Sequence, residues 1–263
     1  MESAAIAAVA DLLARGLAGD EVDYRSVMVE AEAMLRALCV HPRSRDVLDV
    51  SELLARSEGA FHVCVAAGSN SGKSTPVCAL ARAMVDAGRI ECVKVLTADT
   101  LTAEKQFEGH GCKTQIGLFA EETVAKWVAR LERRRLENLE VEASGGAAVQ
   151  ERTLLVLDDV VGASIESSKG VEALFTRGRH LGVTVCLSSQ QPNRTITPTF
   201  KNNTRFVLFT QLTGTGMKRL WEDMVLRPPM KPAAFEAWVS ERCVDYAFGL
   251  YDSHLKTLSV VRA

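Results

Sequence analysis

Two rhythms of apolar residues divide the chain. In the first part, Ile6, Val9, Leu12 and Leu13 recur at helical spacing, as do Val29, Met34, Leu35 and Leu38. His41-Pro42-Arg43-Ser44 breaks the pattern, and residues 47–54 begin another short helix. No chemistry is evident here. Residues 1–58 are expected to form a small helical appendage that caps the core or touches a neighbouring subunit. From Phe61 the rhythm changes to short apolar runs separated by longer helical stretches. Strands are expected over 61–66, 90–96, 153–157, 183–188 and 205–210. Helices are expected over 76–87, closed by Gly88, and over 121–141, 170–180 and 216–225. Val124, Trp127, Val128, Leu131 and Leu139 share one face of the 121–141 helix. Residues 143–148 read as a flexible link, and 245–251 with 258–262 as a terminal hairpin. Continuous rather than alternating apolar strands mean strands buried on both faces. The fold class is α/β, a mostly parallel sheet with helices on both faces, occupying residues 59–263.

Composition narrows the function. The 263 residues carry 31 Lys and Arg against 33 Asp and Glu, a net charge of −2. Coating nucleic acid by bulk charge is disfavoured, so any nucleic-acid contact must be a local patch. No apolar run approaches the ~18 residues a bilayer span requires. The start, Met1-Glu2-Ser3-Ala4, lacks the basic leader of a signal peptide, so a soluble intracellular protein is expected. Seven cysteines, an odd number with no C-x-x-C pair, read as buried free thiols. The five histidines show no zinc spacing.

The chemistry begins at Ala67-Gly68-Ser69-Asn70-Ser71-Gly72-Lys73-Ser74, which fits [AG]-x4-G-K-[ST] between a strand and a helix. Small residues let the backbone wrap a phosphate with its N–H groups pointing inward, and the helix adds its positive N-terminal end. Lys73 can reach the β- and γ-phosphates of ATP, and the Ser74 hydroxyl can ligate Mg²⁺. Thr75 extends the first helical turn, where Pro76 is tolerated. About 85 residues later, the apolar strand 153–157 ends in Asp158-Asp159. Asp158 is assigned to Mg²⁺ and Asp159 to polarising the attacking water. The strand 183–188 leads to Gln190, placed to hydrogen-bond water or the γ-phosphate at the carboxyl end of a sheet. Arg177 and Arg179, just before that strand, are candidate fingers for a neighbouring subunit's ATP.

The phosphate loop, Leu157-Asp158-Asp159, Gly178-Arg179-His180-Leu181 and the strand running to Gln190 follow one another in an order and spacing that resembles the poxvirus-type genome-packaging ATPases of large DNA viruses, within the FtsK/HerA superfamily. The likeness covers about residues 61–210 and extends to the terminal hairpin. It implies a RecA-like P-loop core in which the Asp158 strand is not adjacent to the phosphate-loop strand. It implies ATP hydrolysis by a ring, hexameric or pentameric, that moves double-stranded DNA into a capsid built of viral capsid proteins. The setting implied is host cytoplasm or viral factory, with the virion a further location. It assigns Walker A roles to Lys73 and Ser74, the Walker B role to Asp158, the paired acid to Asp159, the sensor to Gln190 and the finger to Arg179. Where the family often has Arg-x-Asn, this chain has Lys201-x-Asn203 with one extra residue of spacing, and Arg205 is the fallback finger.

Candidate DNA contacts are Lys169, Arg194 and Lys201. Arg133-Arg134-Arg135, with Glu132, Glu137 and Glu140 nearby, reads instead as an ion-paired helix face. Two other readings remain open from the residues: a small-molecule or nucleotide kinase, and a scaffold that binds nucleotide to control assembly.

Overall fold

The computed structural model of the chain describes residues 47–69, 71–107, 111–160, 165–225 and 230–262. The helical rhythm expected over residues 6–38 lies outside them. Among the described residues, one nine-stranded sheet is formed by β1 (Val47–Asp49), β2 (His62–Ala66), β3 (Cys92–Thr97), β4 (Lys113–Leu118), β5 (Thr153–Asp158), β6 (Val183–Ser189), β7 (Phe206–Phe209), β8 (Ala247–Asp252) and β9 (Thr257–Arg262). Their order is β1-β9-β8-β7-β2-β6-β5-β3-β4. β8 alone runs antiparallel to its neighbours β7 and β9. Every residue of β2, β6 and β7 is buried, as strands covered on both faces must be. β6 lies between β2 and β5, so the acid-bearing strand is one strand removed from the phosphate-loop strand.

The helices are α1 (Glu52–Ala55), α2 (Ser74–Asp86), α3 (Thr100–Phe107), α4 (Glu121–Ala143), α5 (Lys169–Arg177), α6 (Pro192–Thr195), α7 (Pro198–Asn203), α8 (Gly214–Arg219) and α9 (Pro232–Arg242). On one face of the sheet, Leu53, Leu80, Met84 and Phe107 from α1–α3 pack with Val63, Val65, Val95 and Val156. On the other, Val124, Leu174, Phe175 and Phe235 from α4, α5 and α9 pack with Cys64, Leu155, Val185 and Phe209. Each such fully buried side chain contributes about 1.5–3 kcal/mol. No helix among the described residues is long and apolar enough to cross a membrane.

The expected helix over 47–54 is corrected: Val47–Asp49 is a strand that pairs in parallel with β9, and only Glu52–Ala55 is helical. Leu48 is buried against the sheet, and three residues are too few for a helical period to show. The helix expected over 170–180 ends at Arg177 and passes into a 3-10 turn, Gly178–Leu181, closed by Gly182 at φ 72°. The terminal hairpin forms as expected. The six cysteines among the described residues are free thiols, and burial pushes the Cys64 and Cys243 thiols up to about 12.

Candidate nucleotide site

The phosphate loop leaves the buried strand β2 and enters α2. Ala67 N–H donates to Ser189 O at 3.3 Å, which holds the start of the loop to β6. Ala67 takes no left-handed conformation, so its Cβ is accommodated where the pattern often has Gly. Gly72 does need its freedom, with φ at 76°. Thr75 N–H donates to Gly72 O at 3.0 Å, and Ser71 Oγ donates to Gly68 O at 2.6 Å. Asn70 lies outside the described residues. Ser74, the first residue of α2, is half-buried, and Lys73 is only 8 % exposed.

Asp158 ends β5 and Asp159 follows it with φ at 47°. Asp is among the few residues that visit this region, and the backbone here is held by a 3.2 Å bond from Asp159 N–H to Ser188 O. The result brings Asp159 to the loop. Lys73 Nζ lies 3.1 Å from Asp159 Oδ2, and Gln190 Nε2 donates to the same oxygen at 2.6 Å. Ser69 Oγ in the loop donates to Gln190 Oε1. Four residues from three segments, all expected from the sequence, therefore form one connected cluster. Asp159 Oδ1 is buried with no partner among the described residues. Burial pushes the Asp158 carboxyl above the usual carboxylate range. The Asp159 charge adds to that rise, while the Ser188 hydroxyl and Lys73 oppose it. A half-buried carboxylate held above its ordinary range suits a cation. One hydroxyl (Ser74) and one carboxylate (Asp158) match Mg²⁺, which takes oxygen ligands and keeps several waters.

The arginines are not brought to this cluster. Gly178–Leu181 sits at the amino end of β6, so Arg179 is separated from the loop by the length of that strand, about 20 Å. Arg179 is exposed and makes no ion pair or hydrogen bond among the described residues. Arg177 instead pairs with Glu132 at 2.6 Å. Arg205 is committed within the chain, to Arg56 O and to Asp252 Oδ1 at 4.0 Å, and its guanidinium lies 5.0 Å from the Phe206 ring centre. Lys201 pairs with Asp223 at 3.7 Å, and Arg134 with Glu151 at 3.0 Å. Lys169 is exposed at the start of α5, and Arg194 lies on α6. Sequence reasoning missed Tyr246, which lies just before β8 and against Gly72. Only an isolated aromatic next to an acid marks it in the sequence.

No protein-family model matches the sequence, and no curated protein matches it. Among solved structures, the genome packaging NTPase B204 of Sulfolobus turreted icosahedral virus 2, in complex with ATP-gammaS, aligns with a TM-score of 0.50 at 13% identity over 78% of this chain and 98% of B204. The sulfate complex of the same protein aligns with a TM-score of 0.51 at 13% identity, over 77% and 95%. The DNA-packaging ATPase B204 of Sulfolobus turreted icosahedral virus gives 0.50 at 12% identity, over 76% and 96%. The chain has the α/β fold of these NTPases, the fold class that the resemblance carried by its motifs implies.

Proposed function

We propose that the protein is an ATP-hydrolysing motor that drives double-stranded DNA into a viral capsid. The observation that carries this reading is the Lys73–Asp159–Gln190–Ser69 cluster at the end of the phosphate loop. In it, the loop lysine is paired with the carboxylate assigned to the attacking water. An arriving triphosphate competes for Lys73 and releases Asp159 Oδ2 to accept a proton from water. Gln190 bridges the loop and Asp159, so it is placed to respond when a γ-phosphate displaces that bridge. Ser74 and Asp158 would hold Mg²⁺, which neutralises charge on the transferring phosphoryl group. Water as acceptor suits this arrangement better than a kinase's acceptor pocket.

The fold shared with a DNA-packaging ATPase supports DNA as the substrate moved. The remaining roles belong to a ring of five or six copies. Arg179, exposed at the far end of the sheet and without an ion pair or hydrogen bond among the described residues, is the finger offered to a neighbouring copy. Lys169, exposed at the start of α5, and Arg194, on α6 after β6, are the candidate contacts to the DNA backbone. Backbone charge contacts of this kind are sequence-independent and salt-sensitive.

The test is phosphate release with and without long linear double-stranded DNA. Hydrolysis that rises several-fold with DNA, and loses that rise at high salt, is expected. Turnover indifferent to DNA, with the phosphoryl group passed to a small acceptor, would overturn the reading.

A further inference from the structure

Val244 to Ala247 form a tight turn, with Ala247 N–H donating to Val244 O at 2.9 Å. Both central residues are left-handed, Asp245 at φ 52° and Tyr246 at φ 61°. Turns of this kind favour Asn, Asp or Gly at both positions. Asp245 conforms. Tyr246 does not, and a bulky residue with positive φ carries a conformational cost that persists only where something else requires it. Its ring remains 69 % exposed, so core burial is not what requires it. The ring is instead laid on the phosphate loop: Tyr246 Cδ1 is 2.7 Å from the point a Cβ at Gly72 would occupy, and Thr75 Oγ1 is 3.8 Å from the same point.

The strand order gives this position a meaning. Asp158, Asp159 and Gln190 lie at the carboxyl ends of β5 and β6, on one side of β2. They mark the side where the γ-phosphate and attacking water must lie. Tyr246 opens β8, two strands away on the opposite side of β2. A nucleotide whose phosphates follow the loop, with its γ end at Asp159, therefore sends its nucleoside toward Tyr246. Beside the loop, a groove of about 870 Å³ runs along α2 from Ser74 and Thr75 to Ala87, faced by Asp49, Ser51 and Leu54 from the β1–α1 corner.

We propose that Tyr246 is a stacking platform for the nucleobase of the nucleotide held by the phosphate loop. This rests on the nucleotide-site reading above and adds the base to it. Stacking reads the π-face that every base presents, so the platform accepts nucleotides without selecting among their bases by hydrogen bonds.

The experiment measures binding of ATP, ADP and inorganic tripolyphosphate to the full chain by calorimetry, in the wild type and in Tyr246→Ala, Tyr246→Phe and Lys73→Ala. Tyr246→Ala is expected to weaken ATP and ADP by about 5- to 150-fold and leave tripolyphosphate unchanged, whereas Tyr246→Phe keeps all three affinities. Lys73→Ala weakens all three. Equal loss of ATP and tripolyphosphate in Tyr246→Ala would show that the ring only shapes the loop and would overturn the platform. Unchanged ATP binding in Tyr246→Ala would also overturn it and leave the phosphate site standing. A wild type that binds neither ATP nor tripolyphosphate would overturn the phosphate site itself.

Discussion

The two ends of the sheet carry similar side chains and use them in opposite ways. At the carboxyl end, Lys73, Asp159 and Gln190 are partnered mainly with one another, and one oxygen of Asp159 has no partner among the described residues. Such bonds are exchangeable, because a phosphate can replace each of them. At the amino end, the polar groups are fixed by backbone. His62 Nδ1 accepts from Val185 N–H at 3.2 Å, and the ring lies 5.2 Å from Phe175. Asp252 Oδ1 accepts from His254 N–H at 3.0 Å. Arg205 lies over Phe206 and holds Arg56 O. Each also keeps one buried polar atom without a hydrogen-bond partner among the described residues (His62 Nε2, Asp252 Oδ2 and Arg205 Nε), but the bonds they do make are to backbone, which a ligand does not displace. The lesson is that a charged residue marks a site when its partners can be displaced, and marks structure when they cannot. Arg179 is the amino-end exception, exposed and without an ion pair or hydrogen bond among the described residues.

That exception gives the largest effect. Arg179→Ala is expected to lower ring turnover by about 10³-fold or more while leaving ATP binding intact. Mixing Arg179→Ala with Lys73→Ala subunits should restore part of the activity, because each supplies what its neighbour lacks. Intact mixed rings with no recovery would return Arg179 to the structural class of its end. The smaller effect concerns His62. Burial pulls its imidazole down to about 4 from an ordinary 6.5, with the Arg179 charge adding to the fall. The unfolded chain therefore takes up the proton first. The stability contributed by neutral His62 is complete above about pH 6.5 and is lost as the pH falls toward 4, by about 3 kcal/mol. Denaturant unfolding across that range should show the loss, and His62→Gln should flatten it. A wild-type profile no steeper than that of His62→Gln would mean that His62 is not held neutral by the fold.

Much of this was legible in the sequence because its signals are local. The phosphate loop, Asp158-Asp159 and Gln190 each sit at the end of a continuous apolar run, and such runs become buried parallel strands whose carboxyl ends converge. β4 was missed because Lys113, Thr114 and Gln115 give an edge strand no apolar run. α9 was missed although Phe235, Trp238 and Val239 follow Pro232 at helical spacing, so its signal was present. β1 was misread as helix because three residues reveal their period only when β9 pairs with them. Tyr246 needed the fold: nothing in a Val-Asp-Tyr-Ala stretch shows that its turn ends beside Gly72, more than 170 residues earlier.

The central claim is that Asp159, released from Lys73 by the arriving nucleotide, activates water. The direct measurement is ATP binding and phosphate release by Asp159→Asn in the same preparation. ATP affinity should be retained, and turnover should fall by about 10²- to 10⁴-fold. Turnover at the wild-type rate with normal binding would contradict the claim.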